Sequence, residues 1–201
     1  ANGDVAMQII GGNITVSLRN LVFTRLAGSS AIGHGILASA VGARISVDNC
    51  TFSGLGQVGL AVWGVSTLRV RDSTFRDNGL YGIWLLDGVT ATIAGSVVSG
   101  SRFSGIAIGN SQPVPSRITV TRSVISGNDS GISAEATDLN ATVRVWAQGN
   151  RIVANRVNAI ELTGLDVTVT AVRNALVGNA GAGISIMSPT AKAIAYGNTI
   201  T

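Results

Sequence analysis

Hydrophobic and polar positions recur along the chain in a short, fixed order. A small polar residue, a variable residue and a hydrophobe stand together at Asn20-Leu21-Val22, Cys50-Thr51-Phe52, Ser73-Thr74-Phe75, Ser96-Val97-Val98, Ser123-Val124-Ile125, Asn150-Arg151-Ile152, Asn174-Ala175-Leu176 and Asn198-Thr199-Ile200. The hydrophobes are spaced 30, 23, 23, 27, 27, 24 and 24 residues apart, a period near 24. A second column follows at Gly35-Ile36, Gly59-Leu60, Gly82-Ile83, Gly105-Ile106, Gly131-Ile132, Ala159-Ile160 and Gly183-Ile184, and alternation continues two residues later at Ala38, Val62, Leu85, Ile108, Ala134, Leu162 and Ile186. Period-2 alternation is the mark of a strand with one buried face. A third column, Asn78, Asn128, Asn155 and Asn179, stands three residues past the hydrophobe, where asparagine suits tight turns. Short alternating runs such as Leu68-Arg69-Val70-Arg71 and Arg117-Ile118-Thr119-Val120 precede the polar column. Each period therefore reads as strand, turn, short strand, turn, strand. The longer steps predict turn insertions near 26–33, 111–116 and 138–140.

One such unit cannot bury its apolar face, whereas stacked units share a continuous core and pair their backbones with the coils above and below. The pattern thus predicts an all-β parallel solenoid of about eight coils, roughly 38 Å long, in one domain over residues 1–201 that is a piece of a longer protein. Composition agrees: 46% of residues are hydrophobic, 12% charged and 4% aromatic, with 26 glycines. That much apolar content excludes a disordered chain, and no apolar run is long enough to span a bilayer as a helix. Cys50 is the single cysteine, so no internal disulfide forms. The net charge of +4 is spread along the chain without a basic block, and no nucleic-acid partner is expected.

The order polar-x-hydrophobe, x-x-Asn, Gly-Ile-x-hydrophobe, as from Ser123 to Ala134, resembles the parallel β-helix repeats of the right-handed, pectate-lyase-like superfamily across residues 14–201. The resemblance implies a right-handed β-helix and an internal asparagine/serine ladder running from Asn20 to Asn198, with Cys50 as a small buried thiol within it. The superfamily holds pectate lyases, polygalacturonases, uronan epimerases, phage tailspikes and adhesin passengers, and fold alone transfers no chemistry.

Candidate chemistry is sparse. Gly33-His34-Gly35 matches the Gly-His-Gly of polygalacturonases, but no Asp pair precedes it and no Arg-x-Lys follows, so His34 is expected in a turn or loop. Glu135 and Glu161 fall on one outer face in neighbouring coils, offset by about 8 Å, within the carboxyl spacing of an inverting glycosidase. Asp48, Asp72, Asp77 and Asp87 occur singly, which makes a poor calcium site, and Asp48 is expected to pair with Arg71 across the strand. Neither a metal nor a cofactor is expected. Arg44, Arg69, Arg71, Arg117 and Arg144, with Trp146, are expected to form a loose basic outer face. Trp63 and Trp84 are expected side by side on another outer face beside Asp87 and Asn110, where indole planes could meet the apolar faces of sugar rings.

Read together, these features describe a structural or adhesive solenoid module of a secreted, periplasmic or cell-surface protein that binds carbohydrate; the alternative is a polysaccharide lyase, hydrolase or epimerase acting on an acidic glycan. The expected partners are a polysaccharide and, through the solenoid ends, other copies of the chain, unless irregular segments such as 1–12 cap them.

Overall fold

A computed structural model describes residues 5–25 and 33–201. Among these residues all regular structure is β-strand. The strands form three parallel sheets of eight strands each, and every third strand along the chain joins the same sheet. The eight coils run over 5–24, 34–53, 58–76, 81–99, 106–126, 132–153, 160–177 and 184–200. Each coil contributes one strand to the first, second and third sheet in turn, so every interior strand finds its backbone partners one coil above and one below.

The alternation read in the sequence sets which side chains point inward. Ile36, Leu60, Ile83, Ile106, Ile132 and Ile160 stack coil on coil in the first sheet and are fully buried, and Ile184 ends the column partly covered. In the third sheet the stack begins with Phe23, Phe52 and Phe75, whose rings lie parallel at 4.7 and 4.6 Å, and continues through Val98, Ile125, Ile152 and Leu176. This corrects the first repeat by one residue. Phe23, not Val22, pairs with Phe52, and Val22 is 70% exposed. The alignment slipped because two hydrophobes stand together there and either one fits the spacing.

The ladder follows the same correction. Cys50 N is bonded by Ser73 Oγ, Ser73 N by Ser96 Oγ, Ser96 N by Ser123 Oγ, and then Ser123, Asn150 and Asn174 N by the side-chain oxygens of Asn150, Asn174 and Asn198, at 2.9–3.2 Å. Leu21 takes the ladder position in the first coil, and Asn20 instead pairs with Asn49, whose Nδ2 donates to Asn20 Oδ1 at 2.8 Å. The residue before each ladder position is left-handed in all eight coils: Asn20, Asn49, Asp72, Gly95, Arg122, Gly149, Arg173 and Gly197. A second ladder joins Leu55 N to Asn78, Ser101 N to Asn128, Asn128 N to Asn155 and Asn155 N to Asn179. Here too the asparagine is the hydrogen-bonding residue, while the left-handed turn is made one residue earlier, at Asp77, Gly127, Ala154 and Gly178.

Turn insertions account for the longer periods. One separates the strands Ile106–Asn110 and Pro115–Thr121, so Pro115 and Ser116 lie in the strand rather than in the insertion; another separates Ile132–Ala136 from Thr142–Gln148. Of the insertion expected at 26–33, all but Gly33 lies outside the described residues. Val5–Ile10 form a regular strand of the first sheet, so of the two alternatives for the ends, irregular caps or self-association, this stretch does not supply an irregular cap. Asp48 sits beside Arg71 in register, but its ion pair is with Arg19 of the preceding coil, at 3.7 Å.

Candidate functional site

The outer face of the first sheet carries the candidate site. Its outward residues align in two columns, Trp84, Ala107, Ser133 and Glu161, and Leu86, Gly109, Glu135 and Thr163. Coil 5 contributes only Ala107 and Gly109, so the surface dips between the larger side chains of coil 4 and those of coils 6 and 7. The dip is a cleft of about 460 Å3. Tyr81, Trp84 and Leu86 wall one side, Glu135, Glu161 and Thr163 the other, and the turns preceding coils 5, 6 and 7 bring Phe103, Asp129, Ser130 and Val157 to its edge. At about 4.8 Å per coil, Trp84 and Glu161 stand roughly 14 Å apart along the axis.

The aromatic wall is continuous. Tyr81 lies 5.5 Å from Trp84 and 5.8 Å from Phe103 between ring centroids, and Trp63 meets Trp84 edge-on at 5.7 Å. Trp63 is thus behind Trp84, outside the cleft, with its Nε1 enclosed and unpartnered. Burial raises the pKa of the Tyr81 hydroxyl, and the charge of Glu135 raises it further.

On the opposite wall Glu161 is held in place. Ser130 Oγ and Asn158 Nδ2 both donate to its Oε2, at 2.9 and 3.0 Å, and both donors belong to buried residues. Among the described residues no protein donor reaches its second carboxylate oxygen. Asp129 at the rim is paired with Arg156 at 2.8 Å. The same guanidinium donates to the carbonyls of Ser101, Arg102 and Gly127, binding three successive turns together beneath Phe103 and Asp129.

Three sequence candidates, Trp84, Glu135 and Glu161, come together here, and Trp63 supports them. Asn110 does not belong to this face: it is buried, its Nδ2 donates to the carbonyls of Val114 and Thr142, and its Oδ1 accepts from Gln112 N. Alternation from Ile106 and Ile108 itself turns Asn110 inward, in register with buried Ala136, and there it anchors the 111–114 insertion. Asp87 accepts from Ser111 N and Oγ at 2.8 and 3.0 Å, tying the same insertion to coil 4. His34 opens the strand His34–Ser39 rather than lying in a loop, four coils from Glu135. It is half-buried with Nδ1 enclosed and unpartnered; burial lowers its pKa, and the side chain of Gln57 offsets part of that. Tyr81, Phe103, Ser130 and Asn158 were missed in the sequence. Tyr81, Ser130 and Asn158 each precede the Gly/Ala-Ile column, and that shared position was the available signal. Among the described residues no three His, Cys, Asp or Glu side chains gather as a metal site.

Fold and cleft define a parallel β-solenoid with a broad recess on its flank. The chain belongs to the right-handed β-helix family, whose "Right handed beta helix region" it matches over residues 2–145. No curated protein matches it. Among solved structures, the periplasmic alginate epimerase AlgG is 14% identical with a TM-score of 0.44, over 95% of this chain and 61% of that one. The A-module of the Azotobacter vinelandii mannuronan C-5 epimerase AlgE6 is 16% identical with a TM-score of 0.25, over 99% of this chain and 79% of that one. The chain thus spans about three fifths of the AlgG structure, and at these scores neither likeness speaks to its chemistry. No helix among the described residues is long and apolar enough to cross a membrane.

Proposed function

We propose that the protein is a β-solenoid module that binds carbohydrate in the cleft between coils 4 and 7. The observation that carries this reading is the pairing of a continuous aromatic wall, Tyr81, Trp84 and Phe103, with a facing row of hydrogen-bonding groups, Ser133, Glu135, Glu161 and Thr163. A sugar ring has apolar faces and a polar rim, and this recess offers the complement of each. Cleavage of a glycosidic bond needs one carboxyl on each side of it; here Glu135 and Glu161 rise from adjacent coils on one wall, which favours binding over hydrolysis. The proposal carries with it a secreted, periplasmic or cell-surface setting, where such polymers are met.

The test is a tryptophan-fluorescence titration of the chain with neutral, amino and uronic oligosaccharides. Trp84→Ala is expected to weaken binding about two- to tenfold, since stacking on a wall aromatic is worth roughly 0.5–1.5 kcal/mol, and Trp63→Ala less. If no oligosaccharide binds, the module is structural or adhesive through protein contacts.

A further inference from the structure

The cleft is acidic in a basic chain. Asp129, Glu135 and Glu161 line it, and neither Arg nor Lys does, although the sequence carries 14 Lys and Arg against 10 Asp and Glu. Arg156 answers Asp129 at 2.8 Å and makes three further hydrogen bonds to turn carbonyls. Arg102 lies outside the lining, with its guanidinium carbon 5.9 Å from the centre of the Phe103 ring. Glu135 and Glu161 have no ion-pair partner among the described residues. The field of Glu135 reaches the opposite wall, where it opposes ionisation of Tyr81.

A ligand that enters this recess meets two carboxylates without ion-pair partners on one wall and the aromatic rings of Tyr81 and Trp84 on the other. Carboxylates and aromatic rings both attract cations. A uronate would bring its own carboxylate against Glu135 and Glu161 and meet like charge. Ser130 and Asn158 fix the Glu161 carboxylate before any ligand arrives, so its orientation costs little on binding. Resting on the reading of the cleft as a glycan site, we infer that it selects glycans bearing free, protonated amino groups: the ring stacks on Trp84 while the ammonium pairs with Glu161 or Glu135.

Isothermal titration of the chain with a glucosamine oligomer, its N-acetylated counterpart of equal length and an oligouronate, at mildly acidic pH where the sugar amines are protonated, tests this. The glucosamine oligomer is expected to bind about tenfold tighter than the N-acetylated one, with the preference shrinking in high salt and the oligouronate weakest. Glu161→Gln and, at an exposed site, Glu135→Gln should each reduce the ratio of the two affinities, with the larger loss on the glucosamine oligomer. Equal binding of the amino and N-acetylated oligomers, or tighter binding of the uronate, overturns the charge inference and leaves the glycan reading standing. Absence of binding by all three overturns both.

Discussion

At the scale of single residues, the turns between the second and third sheets depend on two adjacent positions with different demands. The first must be left-handed, and the second must reach the backbone of the coil before it. Arg122 and Arg173 hold the left-handed position at φ 48° and 51°, where an L residue costs about 1 kcal/mol over glycine. Asn150 holds the second: its Oδ1 accepts from Ser123 N, and its Nδ2 donates to the Val120 carbonyl and to Asn174 Oδ1. Asn150→Ala would strand a buried donor and a buried acceptor, so thermal and denaturant melts should show a loss of about 2–4 kcal/mol. Ser96→Ala should cost less, because Ser96 Oγ bonds only Ser73 N and the Ala94 carbonyl. His34, the single histidine, gives a pH signature. Its folded pKa lies below the ordinary 6.5, so between the two values the unfolded chain binds the extra proton. Stability should therefore fall as pH drops through about 6.5 and level off below the folded value. The imidazole NMR titration should show a midpoint under 6.5, and His34→Gln should flatten the melting curve in that window.

At the scale of elements, the corner where the third sheet hands over to the first is built on close approach. A Cβ on Gly131 would lie 2.3 Å from Ile152 Cγ2 and 2.6 Å from the Ala159 carbonyl oxygen. Gly131→Ala should lower stability by about 1–3 kcal/mol through overpacking. Gly149 has open space around its Cβ position and needs only its left-handed φ of 64°, so Gly149→Ala should cost nearer 1 kcal/mol. Arg156 acts between elements, joining the turns at 101–102, 127–129 and its own. Arg156→Ala should speed amide exchange at 101–105 and 127–131 and weaken ligand binding in the cleft by loosening Phe103 and Asp129, with the rest of the solenoid unchanged.

At the scale of the whole molecule, stability is a sum over neighbouring coils, and a defect in a central coil reaches both halves. Ile106 is wholly enclosed between Ile83 and Ile132, so Ile106→Asp places an unpaired charge in the middle of the stack. Loss of the cooperative melt and of the β-sheet circular dichroism signal is the expected result. The solenoid also separates charge by face. Exposed Arg44, Arg69, Arg71 and Arg117 lie on the second sheet, while Glu135 and Glu161 lie on the first, so the net charge of +4 conceals an acidic cleft.

The repeat period and the period-2 alternation determined the sheets, the inward columns and the ladders, because a coil has only one way to bury its alternate residues and every coil repeats it. Where two hydrophobes stood together, at Val22-Phe23, spacing could not choose between them, and stacking of Phe23 on Phe52 did. The outer face obeyed no such repetition. Alternation put Trp84, Glu135 and Glu161 outside, but the cleft exists because coil 5 places Ala107 and Gly109 between them and because the turns swing Phe103, Asp129 and Ser130 to its rim while buried Asn158 holds Glu161. Asn110, expected beside Trp84, is inward by the same count that buries Ile106 and Ile108, and what the structure adds is that it holds an insertion there. Burial is periodic and so is written in the order of residues; a recess arises from side-chain size and turn path across neighbouring coils, and only the folded stack brings those together.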